Sequence, residues 1–273
     1  MTILVTGATG AVGRGVVDLL RQAGVPVRPA SRNPAGDTHK LDLTDPGTFA
    51  DALAGVDKVF LYAEPSTVDE FVAAAEQAGV RHVVVLSSIS VGYPGADRNP
   101  IALRHSLVED AVQRSGLGWT FLRGGFFATN IRQWAQPIRE TGVARIAYPE
   151  QQVAPVHEKD LAAVAVASLL EDRHNKEIYT LTGPESLTVR EIIAQISADT
   201  GKPVEVHQLS KEEALQDMTD RLRSKEAAEA MLRYMERTVG VAADVTDDVE
   251  RATGTPARSF QEWVRDHRKE FVA

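Results

Sequence analysis

Apolar residues along this chain recur with two alternating periods. Ile3, Leu4 and Val5 form a run without polar interruption, as expected of a strand covered on both faces. Val12, Val16, Leu19, Leu20 and Ala23 follow at i, i+4, i+7, i+8 and i+11, a single stripe along a helix. The alternation continues for over a hundred residues. Strands are predicted over Val25 to Ala30, His39 to Leu41, Val59 to Tyr62, the β-branched Val83 to Leu86, and Trp119 to Leu122. Helices are predicted from Asp45-Pro46 through Leu53, from Val68 to Ala78 with Gly79 as its stop, and from Ile101 to Arg114. Such alternation predicts an α/β fold with a doubly wound parallel sheet.

Past Leu122 the pattern loosens. Arg123 to Phe127 reads as a loop, Val153 to Val156 and the helix Lys159 to Leu170 as a return to the sheet, and Ile178 to Leu181 as a further strand. From Gly183 onward the chain is mainly helical, clearest over Thr188 to Thr200. The charge-rich stretch Ser210 to Arg237 reads as an exposed amphipathic helix pair or a mobile lid.

Composition narrows the function more than the fold. The 273 residues are 43% apolar and 25% charged, ordinary for a globular chain that can bury one large core and a smaller appendage. A formal charge of −8 argues against nucleic acid as a partner, since phosphate backbones are bound by clustered Lys and Arg. The absence of cysteine excludes disulfides, thiolate nucleophiles and iron–sulfur clusters, and fits a reducing cytoplasm, the expected location. The histidines show no H-x-x-x-H spacing or acid cluster, so no metal is expected. No signal peptide is read ahead of the first strand, and the longest apolar stretch, Leu161 to Leu170, is about half of a membrane span.

The candidate chemistry begins where the first strand meets the first helix. In Thr6-Gly7-Ala8-Thr9-Gly10-Ala11-Val12-Gly13, Gly7 permits a tight turn, Gly10 removes the Cβ that would block a diphosphate, and Gly13 lets the helix pack close to the strand. The backbone N–H groups of Thr9, Ala11 and Val12 then lie at a helix N-terminus, which favours an anion. A strand before the motif and a helix after it are the context that a dinucleotide site requires. At the end of the second strand, where an NAD enzyme places Asp or Glu, stand Ser31 and Arg32. With no acid to repel a 2′-phosphate and a permanently charged fork to receive one, NADP(H) is expected over NAD(H). The alternative is that Arg32 is a solvated loop charge.

The G-x-x-G-x-x-G spacing resembles that of the short-chain dehydrogenase/reductase superfamily. Further blocks are similar to its atypical, NmrA-like members: Leu117 to Phe127 preceded by His105 and Glu109, Val156 to Ala162, and Tyr179 to Pro184. The resemblance implies a Rossmann-type NAD(P)-binding domain, expected over residues 1–123 and 153–182, and a smaller, mostly helical substrate-binding portion over 124–152 and 183–273. It also implies that Asp42 reaches the adenine amino group, an ordinary loop acid being the alternative. Leu43, Ala63, Glu64 and Ser87 are expected to complete the cofactor site, Glu64 standing where relatives often have a small residue.

One departure shapes the expected reaction. Residues four after Tyr62, Tyr93, Tyr148, Tyr179 and Tyr234 are Ser66, Asp97, Gln152, Gly183 and Thr238, so the Tyr-x-x-x-Lys pair of ordinary short-chain dehydrogenases is missing. A quinone does not need it, because its carbonyls are conjugated into a ring that becomes aromatic on hydride addition. Candidate proton donors are Ser88, in the place of the superfamily's catalytic serine or else capping a turn; Tyr93; and His105, oriented by Glu109 or simply paired with it at the surface. Phe126 and Phe127, with Trp134 and Tyr148, are expected to wall a flat substrate or to pack in a core. The resemblance therefore implies an NADPH-dependent oxidoreductase acting on a quinone or polyketide aromatic, with no flavin motif and with the homodimer that is common in the superfamily. Two alternatives are a regulatory protein that senses NADP(H) without turning it over, and a polyketide tailoring enzyme taking part in oxygenation, as in antibiotic biosynthesis.

Overall fold

Residues 1–272 are described by the structure, a computed structural model. In chain order the first elements are β1 (Ile3–Val5), α1 (Ala11–Gln22), β2 (Val27–Ser31), β3 (His39–Lys40), α2 (Phe49–Leu53), β4 (Lys58–Tyr62), α3 (Val68–Gln77), β5 (His82–Ser88), α4 (Pro100–Arg114) and β6 (Gly118–Gly124). They are followed by α5 (Ala135–Thr141), β7 (Val143–Ile146), β8 (Gln152–Val153), α6 (Glu158–Leu170), β9 (Glu177–Leu181), β10 (Leu187–Thr188), α7 (Val189–Thr200) and β11 (Glu205–Gln208). Four helices close the chain: α8 (Lys211–Leu222), α9 (Lys225–Arg237), α10 (Asp248–Thr253) and α11 (Phe260–Phe271).

The chain forms two compact units. The first comprises residues 1–125, 158–181 and 246–257. Its seven strands pair in the order β3-β2-β1-β4-β5-β6-β9, every pair parallel, which is the doubly wound sheet that the alternation predicts. The uninterrupted apolar strands are buried, and one face of the sheet packs against α2, α3 and α4 through Phe49, Phe71, Val108 and Val112. Residues 246–257 join this unit because the Asp248 carboxylate accepts from the Thr180 N–H at 2.6 Å and the Arg251 guanidinium lies 4.3 Å over the Tyr179 ring.

The second unit comprises 126–157, 182–245 and the described residues from 258. Its core centres on Trp263, fully buried between Phe260 and Phe271 of α11. The charge-rich stretch folds as the helix pair α8 and α9, joined through Ala214, Met218, Ala228 and Leu232. The run Val153 to Val156 does not return to the main sheet. Gln152 and Val153 pair antiparallel with Thr188 and Leu187, because Pro155 cannot donate to a ladder and the free edge of β6 is taken by the longer β9.

At the amino end of the sheet, His82 is buried beside Lys58 and held in one tautomer. Thr120 Oγ1 donates to the His174 carbonyl at 2.7 Å, so it can only accept from His82 Nε2–H, 3.0 Å away. Burial and the Lys58 charge push the His82 imidazole down to about 4, against the ordinary histidine value near 6.5. Below about pH 6.5 the unfolded chain therefore binds the extra proton first, and stability is lost as pH falls from there towards 4. Between pH 7 and pH 5 the wild-type protein is expected to lose about 2 kcal/mol more unfolding free energy than His82→Gln. Denaturant titrations of both proteins at the two pH values measure the difference; equal losses would refute it.

Candidate cofactor and active site

The first candidate site is the turn after β1. Gly7 has φ +59°, a left-handed conformation that glycine adopts without strain. The Gly10 N–H donates to the Gly7 carbonyl at 2.9 Å, and a Cβ on Gly13 would be driven into that carbonyl, 2.8 Å from its carbon. The turn thus has no room for a side chain at Gly7 or Gly13, and α1 starts hard against it. Helix α1 begins at Gly10 with no side-chain cap and no acid in its first turn, whereas α7, α8 and α11 are each closed by a Ser or Thr capping box with Glu. An open N-terminus of this kind suits an external anion. The turn also lies between β2 and β4, where the strand order reverses and such sheets take ligands.

Two residues that the sequence pattern did not single out shape this turn. Thr6 Oγ1 accepts from the Tyr62 N–H at 2.9 Å, tying the end of β4 to the glycine loop. The Tyr62 ring consequently lies over Gly7, with its hydroxyl 3.6 Å from where a Cβ on Gly10 would stand. Burial pushes the phenol above its ordinary value, so it remains a donor at neutral pH. Its position as the polar-tipped end of an apolar strand was the available signal.

Around the turn, the other cofactor candidates have distinct local roles. Ser31 Oγ donates to the Asn33 carbonyl at 2.9 Å, capping the bend that carries Arg32. Arg32 is exposed, and its guanidinium makes no hydrogen bond among the described residues. Asp42 Oδ1 accepts from the Thr44 N–H and hydroxyl, which hold its carboxyl below the usual range, and Leu43 packs against the core. Glu64 accepts from Arg104 of α4 at 2.5 Å and from the Ser66 N–H, fixing the loop after Ala63.

A second cluster stands at the carboxyl ends of β5 and β6. Both strands run two residues further than their apolar patterns, so that Ser87 pairs with Arg123 and Ser88 with Gly124. Glu109 does not orient His105, and it is not a surface carboxylate. It is 3% exposed and accepts from Ser87 Oγ at 2.5 Å, from Arg123 Nε at 3.0 Å and from Arg123 Nη2 at 2.6 Å. Its neighbour in the chain pattern lost the competition to a bidentate arginine on the adjacent strand. His105 Nδ1 is buried without a partner, and burial and the Arg104 charge lower its pKa, which leaves the imidazole mainly neutral at pH 7. Ser88 Oγ accepts from the Ser90 N–H and pairs with the Ser90 hydroxyl at 2.8 Å, capping the turn that leads to half-buried Tyr93.

The aromatic candidates belong to the second unit. Phe126 and Trp134 pack against its core, Phe127 bridges to Val156, and Tyr148 lies against the α8 and α9 pair. Among the described residues no three His, Asp or Glu side chains converge as metal ligands, and no helix is long and apolar enough to cross a membrane.

The chain is similar to known proteins over nearly its whole length. A family model described as NmrA-like matches residues 1–266. The chain is 41% identical to a (4-alkanoyl-5-oxo-2,5-dihydrofuran-3-yl)methyl phosphate reductase of Streptomyces griseus, covering 99% of both chains. It is 36% identical to an NAD(P)H azoreductase of Xenophilus azovorans, again over 99% of both. Among solved structures, an NADPH-dependent quinone oxidoreductase of Escherichia coli complexed with NADPH superposes with a TM-score of 0.79 at 25% identity, over 97% of this chain and 99% of that one.

Proposed function

This chain belongs to the NmrA-like family of Rossmann-type proteins, and on that premise we propose that it is an NADPH-dependent reductase delivering hydride to a planar conjugated acceptor such as a quinone or polyketide aromatic. The observation that carries the reading is the open N-terminus of α1 behind a glycine turn with no room for a side chain at Gly7 or Gly13. The unsaturated lactone, azo and quinone substrates named for the similar proteins support it, since each is a polarised π system that takes hydride at one atom and charge at another. When bound, the dinucleotide supplies that hydride. The first turn of α1 holds the diphosphate, Arg32 receives the 2′-phosphate, and Asp42 and the Ala63-Glu64 loop flank the two ends.

Tyr62 adds a donor to the diphosphate side. Tyr62→Phe keeps the ring over Gly7 and removes only the hydroxyl, so NADPH is expected to bind about tenfold more weakly, as for one hydrogen bond to a charged group. A fluorescence titration measures it, and unchanged affinity would remove Tyr62 from the site.

The test of the function is NADPH oxidation by purified protein with a panel of naphthoquinones and anthraquinones, with and without dioxygen. Saturable turnover independent of dioxygen is expected. Turnover that consumes dioxygen and hydroxylates the substrate would point to oxygenation, and tight dinucleotide binding without any turnover to a sensor.

A further inference from the structure

The pair of Glu109 and Arg123 leaves one edge of the guanidinium unused. Glu109 is satisfied by three donors, and the arginine is engaged through Nε and Nη2 alone. Nη1 has no partner among the described residues. It lies beneath Gly92, where a Cβ would come within 3.5 Å, and the Arg123 side chain is 19% exposed. The side-on pairing is therefore a mount: it fixes the plane of the guanidinium and aims Nη1 outward at the carboxyl end of β6.

That end of the sheet is where a reacting group belongs in this architecture. Three strand spacings separate β6 from the glycine turn of β1, about 14 Å, which an extended dinucleotide held at that turn can span. The groups proposed from sequence to act there do not supply a charge: His105 is mainly neutral and Ser88 is engaged with Ser90. Arg123 does supply one.

We propose that Arg123 is a catalytic residue whose Nη1 donates a hydrogen bond to the acceptor's carbonyl oxygen as that oxygen becomes an oxyanion, in place of the missing Tyr-x-x-x-Lys pair. The inference rests on the reductase reading. In the step, the C–H bond of the dihydronicotinamide breaks and its electron pair forms a new bond to a carbon of the conjugated acceptor. The nicotinamide is oxidised and the acceptor reduced, the displaced π pair moving onto the carbonyl oxygen. Arg123 stays protonated throughout, and the oxygen takes its proton from water. Glu109 and Ser87 are positioning residues, acting through Arg123. A preorganised donor aimed at developing charge is worth two to three orders of magnitude in rate, roughly, when deleted.

Removing Arg123 alone would strand a buried carboxylate, so the variant to make is Arg123→Met with Glu109→Leu, which replaces the ion pair by apolar volume and is commonly tolerated. The expected result is a folded protein with NADPH affinity within about twofold of wild type and a kcat for naphthoquinone lower by about 100-fold, KM changing far less. A purely structural pair predicts kcat within about threefold of wild type, and that outcome would overturn the proposal. Should the double variant not fold, Gly92→Leu keeps the ion pair and begins a side chain beside Nη1; a kcat reduced about tenfold with NADPH binding retained is expected, and an unchanged kcat counts against the proposal.

Binding of 4-nitrophenolate, read from its absorption without any turnover, separates this inference from the reductase reading. Wild type is expected to bind the anion about tenfold more tightly than the double variant (or Gly92→Leu, if that is the folded one). If wild type reduces no quinone, the reductase reading fails and this binding difference alone judges Arg123. Equal binding then overturns the oxyanion donor.

Discussion

Gly13→Val is expected to abolish measurable NADPH binding, raising the dissociation constant more than about 1,000-fold, and to lower stability by about 2 kcal/mol. The reason is local and steric. A Cβ at this position runs into the Gly7 carbonyl, a backbone group that cannot rotate away as a flexible side chain would. The Gly7 turn is itself pinned by the Gly10 N–H and by β1 in the middle of the sheet, so the helix must move instead. Moving α1 takes its uncapped first-turn N–H groups off the position proposed for the diphosphate, so the anion would lose hydrogen bonds and dipole together. Gly10→Ala is expected to cost less stability, because its Cβ would stand 3.3 Å from the same oxygen, a distance that a small shift accommodates. A fluorescence titration with NADPH and a thermal melt of each variant test the order; tight binding by Gly13→Val would sink the dinucleotide assignment.

The second large effect is at Arg32. Arg32→Glu is expected to weaken NADPH binding about 100-fold and to leave NADH within about threefold, reversing the preference. Arg32 is exposed and its guanidinium makes no hydrogen bond among the described residues, and the Lys40 ammonium donates only to its backbone carbonyl, so the change costs the fold little and the effect falls on the ligand. Ser31 caps the bend that positions it and is unaffected. Because the contact is at the surface, the wild-type preference should shrink as ionic strength rises. A wild-type protein that binds NADH more tightly than NADPH, or a variant that retains NADPH affinity, would contradict the role given to this arginine.

The helices and strands of the first unit were legible because each depends on neighbours within one or two turns of the chain. Val83 to Leu86 is apolar on both faces whatever lies beside it, and Val12, Val16 and Leu20 share a stripe by the geometry of a helix alone. The glycine turn was legible for the same reason, since Gly7, Gly10 and Gly13 act on one another. Val153 illustrates the opposite case. Its apolar run is compatible with any strand edge, and Pro155 together with the competing β9 directed it to Leu187.

What the sequence determined by itself is therefore the alternation of elements, the parallel sheet it implies, the family, and the position of the glycine turn. Only the tertiary structure decided which polar groups meet. Glu109 is one helical turn from His105, yet it pairs with Arg123, fourteen positions on, and with Ser87, twenty-two positions back. Tyr62 reaches the glycine loop across fifty-six positions through Thr6. Burial makes such pairings stringent, because an unpaired carboxylate in the interior costs far more than one in water, and the partner that satisfies it is chosen by the packing of strands and not by distance along the chain.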